Sequence, residues 1–139
     1  MHTPMPTHCR SHLLALLVFV AACSEGPTAP PPGIQPQITN NTDAFAYQLT
    51  NLDNATGVYN YTWQNTGTLA KVTHSSNAGA TGTATLTILD AAGTQVYTGA
   101  LVSSGQPVSS PEGVPGAWTI TVTYAAYSNA QVNFGAVKQ

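Results

Sequence analysis

Few side chains in this sequence can titrate or coordinate. Beyond residue 23 they are His74, Asp43, Asp53, Asp90, Glu25, Glu112, Lys71 and Lys138. One histidine without a cysteine does not make a typical zinc site, which takes three or four nitrogen or sulfur ligands. The run "THSS" at Thr73–Ser76 supplies a histidine beside hydroxyls. A nucleophilic triad also needs a buried acid that orients the base, and an oxyanion hole. No strand–turn–helix nucleophile elbow accompanies the run, so His74 reads as a residue on a strand end or edge. Paired carboxylates that cleave glycosides must face each other across a bond, whereas these acids fall in predicted turns or in a proline-rich stretch. "NLDNATG" (Asn51–Gly57) gathers oxygen donors of the kind Ca²⁺ prefers. It lacks a spaced series of aspartates, and Asn and Asp in such a place usually serve the turn itself. No catalytic residue, cofactor or metal is expected.

The aromatic residues offer a second kind of chemistry. Tyr59, Tyr61 and Trp63 alternate in "VYNYTWQ" and so share one face of a strand. Exposed, they would form a flat strip for stacking on sugar rings. Buried, they are core, the default for alternating aromatics in a sheet. Tyr97 and Tyr127 are looser candidates for exposure. Threonine alternates with apolar residues in "TATLTIL" (83–89) and "AWTITVTY" (117–124). This favours strands with a polar outer face. An ice-like or adhesive hydroxyl lattice would need a stricter repeat.

The third candidate is a thiol. Cys23 lies between "LLALLVFVAA" (residues 13–22) and the proline-rich "SEGPTAPPPGIQPQ" (24–37). Ten apolar residues make a helix of about 15 Å, half of a bilayer core of roughly 30 Å. That run has the length of a signal-peptide hydrophobic region, with Arg10 ahead of it. "VAAC" at Val20–Cys23 resembles a bacterial lipobox. The resemblance implies that residues 1–22 are removed and that Cys23 becomes the acylated first residue. One acyl chain binds a membrane only marginally. The several chains implied at this cysteine would anchor durably. Ser24 in the next position resembles the signal for the outer membrane. Cys9 would leave with the leader and Cys23 would be consumed by lipid, so no disulfide is available and a packed core must supply the stability.

Stepping outward from these groups, residues 24–42 read as an extended, solvated linker, with the proline-rich part near polyproline II. From residue 43 to 139 the pattern becomes period-two alternation broken by turn signals such as "QNTG", "LDAAGT" and "SPEGVPG". Strands are expected at about 44–50, 57–64, 68–74, 82–90, 94–102, 117–125 and 130–137, with a weak eighth near 106–109. "LDAAGTQVY" is the clearest hairpin: Asp90 can accept bonds from the turn backbone and Gly93 can take a positive φ. Charged residues make up 6% of the chain against about a quarter in ordinary soluble proteins, while 42% is hydrophobic. That balance argues against disorder. With three Lys and Arg in all, no basic patch exists for nucleic acid. The fold expected is an all-β antiparallel sandwich, jelly-roll-like, of seven or eight strands.

Three stretches, "YTWQNTGTLAKV", "GTATLTILDAAGTQVYTG" and "GVPGAWTITVTYAAYSNAQVNF", resemble small bacterial lipoproteins of unknown function. More remotely, Gly113–Val122 ("GVPGAWTITV") is similar to the prepeptidase C-terminal and CUB-like β-sandwich modules of secreted bacterial enzymes. There a strand leaves a Gly-rich turn and places an aromatic in the core. The resemblance carries no catalytic residue. Together these features lead to an expected non-catalytic, lipid-anchored protein of the bacterial cell envelope with a binding role. Its partners would be the membrane, through Cys23, and a glycan or an envelope protein. The alternative expectation is a carbohydrate-binding module that uses Tyr59, Tyr61 and Trp63.

Overall fold

The computed structural model describes residues 34–76, 80–101, 105–128 and 130–139. Nine strands form in chain order: β1 (Gln37–Asn41), β2 (Ala44–Leu52), β3 (Ala55–Asn65), β4 (Ala70–Ser76), β5 (Thr81–Leu89), β6 (Gln95–Ala100), β7 (Val108–Ser109), β8 (Gly116–Ser128) and β9 (Ala130–Lys138). They build two antiparallel sheets, ordered β1-β2-β9-β4-β7 and β3-β8-β5-β6. With β1 set aside, each sheet has four strands, and the chain crosses between sheets at every connection except the β5–β6 hairpin. That is the jelly-roll arrangement.

Alternation explains the two layers. In β2, Phe45, Tyr47 and Leu49 are buried while Ala46 and Gln48 are exposed. In β8, Trp118, Ile120, Val122 and Tyr124 point inward between Thr119, Thr121 and Thr123. β9 adds Val132, Phe134 and Ala136, and β5 adds Ala84, Leu86 and Ile88. The rings interlock across the core. Tyr47 stacks on Phe134 with centroids 4.7 Å apart, and Trp63 meets Trp118 edge-on at 5.7 Å and 81°. Such offset and edge contacts suit the quadrupole of aromatic rings. The Tyr47 and Tyr124 hydroxyls meet at 3.1 Å in the interior. Burial raises both phenols well above their ordinary value of 10.0, so both stay protonated.

The β5–β6 hairpin forms as expected. Asp90 Oδ1 accepts from the backbone N–H groups of Ala92 (2.9 Å) and Thr94 (2.7 Å), and Gly93 sits at φ 81°. A role absent from the sequence reading falls to Asp90 Oδ2, which accepts from Val114 N at 2.9 Å and ties this turn to the approach to β8. At the same end of the sandwich, Asp43 Oδ2 lies 2.7 Å from Lys138 Nζ, and Asp43 Oδ1 accepts from Thr66 N. That cluster joins the β1–β2 turn, the end of β3 and the end of β9.

One boundary differs from the sequence reading. Residues 37–41, expected within the linker, form β1 and pair along β2 from Gln37↔Gln48 to Asn41↔Ala44. All five side chains of β1 are exposed, so no apolar alternation marks the strand. The free edge of β2 supplies its hydrogen bonds, and Asn40 Nδ2 adds one to Thr62 O at 2.8 Å. The weak strand expected near 106–109 is present as β7, which pairs with β4 at Lys71↔Ser109 and Val72↔Val108.

Candidate functional site

The aromatic strip belongs to the core. Trp63 is fully buried, Tyr59 nearly so, and Tyr61 packs against Phe45 and Tyr47 with centroids 5.9 and 5.8 Å apart. Period-two alternation puts three rings on one face of β3 without saying which face turns inward. The inward face of a two-layer sandwich takes the large apolar groups because their burial drives folding. These rings therefore lack the open face that sugar stacking requires, and the strip is core, its default reading, rather than the alternative binding platform. Tyr127, a candidate for exposure, is also buried and donates its hydroxyl to Leu101 O at 2.9 Å. Tyr97 is half-buried against the core.

The "THSS" run does not assemble a nucleophile. His74 follows Ala70 and Val72 on the inward side of β4, whereas Ser75 faces outward. Ser76 Oγ donates to Leu101 O at 3.1 Å. Gly105 packs so closely on the His74 ring that an added Cβ would overlap Nε2. The Asn51–Gly57 turn uses its residues locally. Asn51 and Asn54 take φ of 60° and 48°, a region Asn tolerates better than most residues, and Asn54 N donates to Ser128 Oγ at 2.6 Å. Among the described residues, no group of three or more His, Cys, Asp or Glu comes together as a metal site. Cys23 lies outside the described residues.

The outer faces of the two sheets differ. On β3-β8-β5-β6, Asn60, Thr121, Thr87 and Thr98 lie in one row across four strands. Their polar groups satisfy one another: Thr121 Oγ1 donates to Asn60 Oδ1 at 2.8 Å, and the Thr87 and Thr98 hydroxyls are 3.4 Å apart. On the other sheet a groove of about 530 Å³ opens over β1, β2, β9 and β4. One row across these strands is Gln37–Gln48–Asn133–Ser75, and the next is Thr39–Ala46–Gly135–Thr73.

The second row explains the depression. Its two central positions carry a methyl group and a hydrogen, and its flanks carry β-branched threonines. The first row closes one side with three amides and a hydroxyl. Their side chains make no hydrogen bond to one another. The lining contains no Asp, Glu, Lys or Arg, and it includes His74, which sits on the inward side of β4. Lys71, one row further along β4, is exposed. What the groove's open rows offer chemically is amide and hydroxyl donors and acceptors. Apart from Thr73–Ser75 in the "THSS" run, none of its residues stands out in the sequence. Glutamine, threonine, alanine and glycine at outward positions look like ordinary solvated strand, and only the cross-strand register brings residues from 37 to 135 together.

The fold and groove thus define an all-β jelly roll with an uncharged, concave sheet face. The chain matches no family model and no curated protein.

Proposed function

We propose that this chain is a non-catalytic, lipid-anchored protein of the bacterial cell envelope that displays a ligand-binding jelly roll. The outer membrane is its destination. The anchor rests on "VAAC" at Val20–Cys23 after an apolar run too short to span a bilayer. The binding role rests on one observation, the groove over β1, β2, β9 and β4. It is the place where polar side chains converge without bonding each other, and concave sites with a few convergent polar groups are where ligands bind. The carboxylates support the absence of catalysis, because Asp43 and Asp90 are tied to backbone and cation partners rather than aimed into the groove.

Two measurements test the two parts. Growth of an expressing bacterium with a clickable fatty acid should label the protein, and Cys23→Ser should abolish the label. Label that survives the substitution refutes the anchor at this residue. For the binding face, the full chain held in a polyoxyethylene detergent should co-sediment with detergent-insoluble envelope polymers. Gln48→Ala and Asn133→Ala should each release it. Unchanged sedimentation of both variants refutes the groove as the binding face.

A further inference from the structure

We infer that the groove binds a linear, uncharged oligosaccharide that lies across the strands, over the Gln37–Gln48–Asn133–Ser75 row. This inference rests on the reading of the groove as the binding face and adds the class of ligand.

The first argument is spacing. The row crosses four hydrogen-bonded strands, so its side chains recur at about 4.8 Å. That interval is close to the advance of one pyranose unit along a linear glycan, so each sugar would meet one polar side chain. An extended peptide advances about 3.3 Å per residue and would fall out of step within two residues. The row extends over three strand intervals, about 14 Å, which suits three or four sugars.

The second argument is hydrogen-bond chemistry. Every sugar hydroxyl donates and accepts. A primary amide presents both a carbonyl oxygen and an NH₂, and a hydroxyl does both at one atom. Gln48 and Asn133 are directly opposed on β2 and β9, so their amides can take adjacent hydroxyls of one ring. No hydrogen bond within the described chain engages the side chains of Gln37, Gln48, Asn133 or Ser75, so a ligand need not displace an internal partner.

Shape and charge give the third argument. Ala46 and Gly135 leave a shelf beside the amide row that accepts the body of a sugar ring. The lining supplies no cation to pair with phosphate or carboxylate, and its apolar floor is too small for a lipid chain. Without aromatic stacking the site should bind weakly, with each hydrogen bond adding modestly.

The test is competition and direct binding with defined probes. The full chain in a polyoxyethylene detergent, chosen because it carries no sugar, is titrated by calorimetry and amide NMR. The probes are the tetrasaccharides of β-1,4-glucan, α-1,4-glucan, β-1,4-mannan and β-1,4-xylan, with tetragalacturonate as the acidic control. The expected result is saturable binding of at least one neutral probe, with shifts confined to β1, β2, β9 and β4. Gln48→Ala and Asn133→Ala should each weaken it about three- to tenfold, because each removes one or two net hydrogen bonds. Gly135→Val should abolish it by filling the shelf. The two alanine variants alter side chains with no internal hydrogen bond, Gln48 exposed and Asn133 half-buried, and keep the test valid if Gly135→Val folds poorly. Preference for tetragalacturonate, or no binding of any neutral probe, overturns the inference. If envelope sedimentation still depends on Gln48 and Asn133 in that case, the binding face stands and only the ligand class fails. If sedimentation is indifferent to both residues, the binding face fails as well.

Discussion

Trp63 and Trp118 provide a controlled comparison within one core. They sit directly opposite each other on β3 and β8, both fully buried, 5.7 Å apart and nearly perpendicular. Trp118 Nε1 donates to Val114 O at 2.8 Å. Trp63 Nε1 is buried and finds no acceptor among the described residues. Substitution of either ring by Phe removes the same atoms from the same cluster, so the packing loss is shared and nearly cancels in the difference. The polar terms have opposite signs. Trp118→Phe loses a net hydrogen bond of about 1 kcal/mol, and the Val114 carbonyl, in an exposed residue, keeps its bond from Ala91 N. Trp63→Phe removes a donor whose unpaired burial costs about 1–3 kcal/mol. Trp63→Phe should therefore be the milder change by about 2–4 kcal/mol. In a domain of this size that separates the melting temperatures by at least about 8 °C. Guanidinium titration of the two variants, each followed by the fluorescence of its remaining tryptophan, measures the gap, and calorimetry checks it. Equal stability, or a less stable Trp63→Phe, would refute the assignment of the two indole environments.

Three further outcomes follow from the turns and from the strip. Hydrogen bonds from Val114 N, and then from the Thr94 and Ala92 backbone, hold the Asp90 carboxyl below its ordinary value of 3.8. Its stabilisation is therefore complete above about pH 4 and is lost as pH falls through the lowered value. Asp90→Asn should lower the melting temperature at pH 7 and matter progressively less as pH falls below 3.8, as a pH series of thermal melts would show. Gly82 has φ 79°, and a Cβ there would strike the carbonyls of Ala125 and Ala126, whereas a Cβ at Gly93 meets nothing within 4 Å. Gly82→Ala should cost about 3 kcal/mol or more from strain and overlap together, and Gly93→Ala only about 1–2 kcal/mol from its backbone conformation, read by urea titration. Trp63→Ala should destabilise by about 3–5 kcal/mol. Any loss of glycan binding in that variant should accompany loss of the near-ultraviolet dichroism of the packed core.

The strands and the hairpin were legible because they follow local rules. Alternation in "FAYQL" and "AWTITVTY" reports a half-buried strand wherever it occurs, and Asp90 with Gly93 encodes a turn within five residues. β1 was not legible, since "QITNN" buries nothing and is a strand only because β2 has a free edge. The partition into sheets was hidden for a related reason. β2 pairs with β9, some eighty residues away, through backbone groups that every sequence carries. The groove inherits this difficulty. Gln48 and Asn133 become neighbours through that pairing, and neither has a sequence signature of its own. The aromatic strip shows the converse. It was the most visible feature of the sequence because large rings are conspicuous, and they are conspicuous because a sandwich without a disulfide depends on them.

The two best-connected carboxylates bear on catalysis more directly than any missing motif. General acids at neutral pH are carboxyls whose pKa is raised, usually by apolar burial. Asp43 and Asp90 have moved the other way. A hydrogen bond from Lys138 leads the effects that lower Asp43, with the Thr66 backbone N–H next among the lowering causes, and four backbone donors, Val114 first, lower Asp90. A carboxylate held ionised by several donors is a poor proton donor and a weak base. Its oxygens are also already occupied by the turns they close. In a chain with so few charges, these acids fasten separate turns at one end of the jelly roll, and the open sheet face is left to amides and hydroxyls. That division suits recognition through hydrogen bonds.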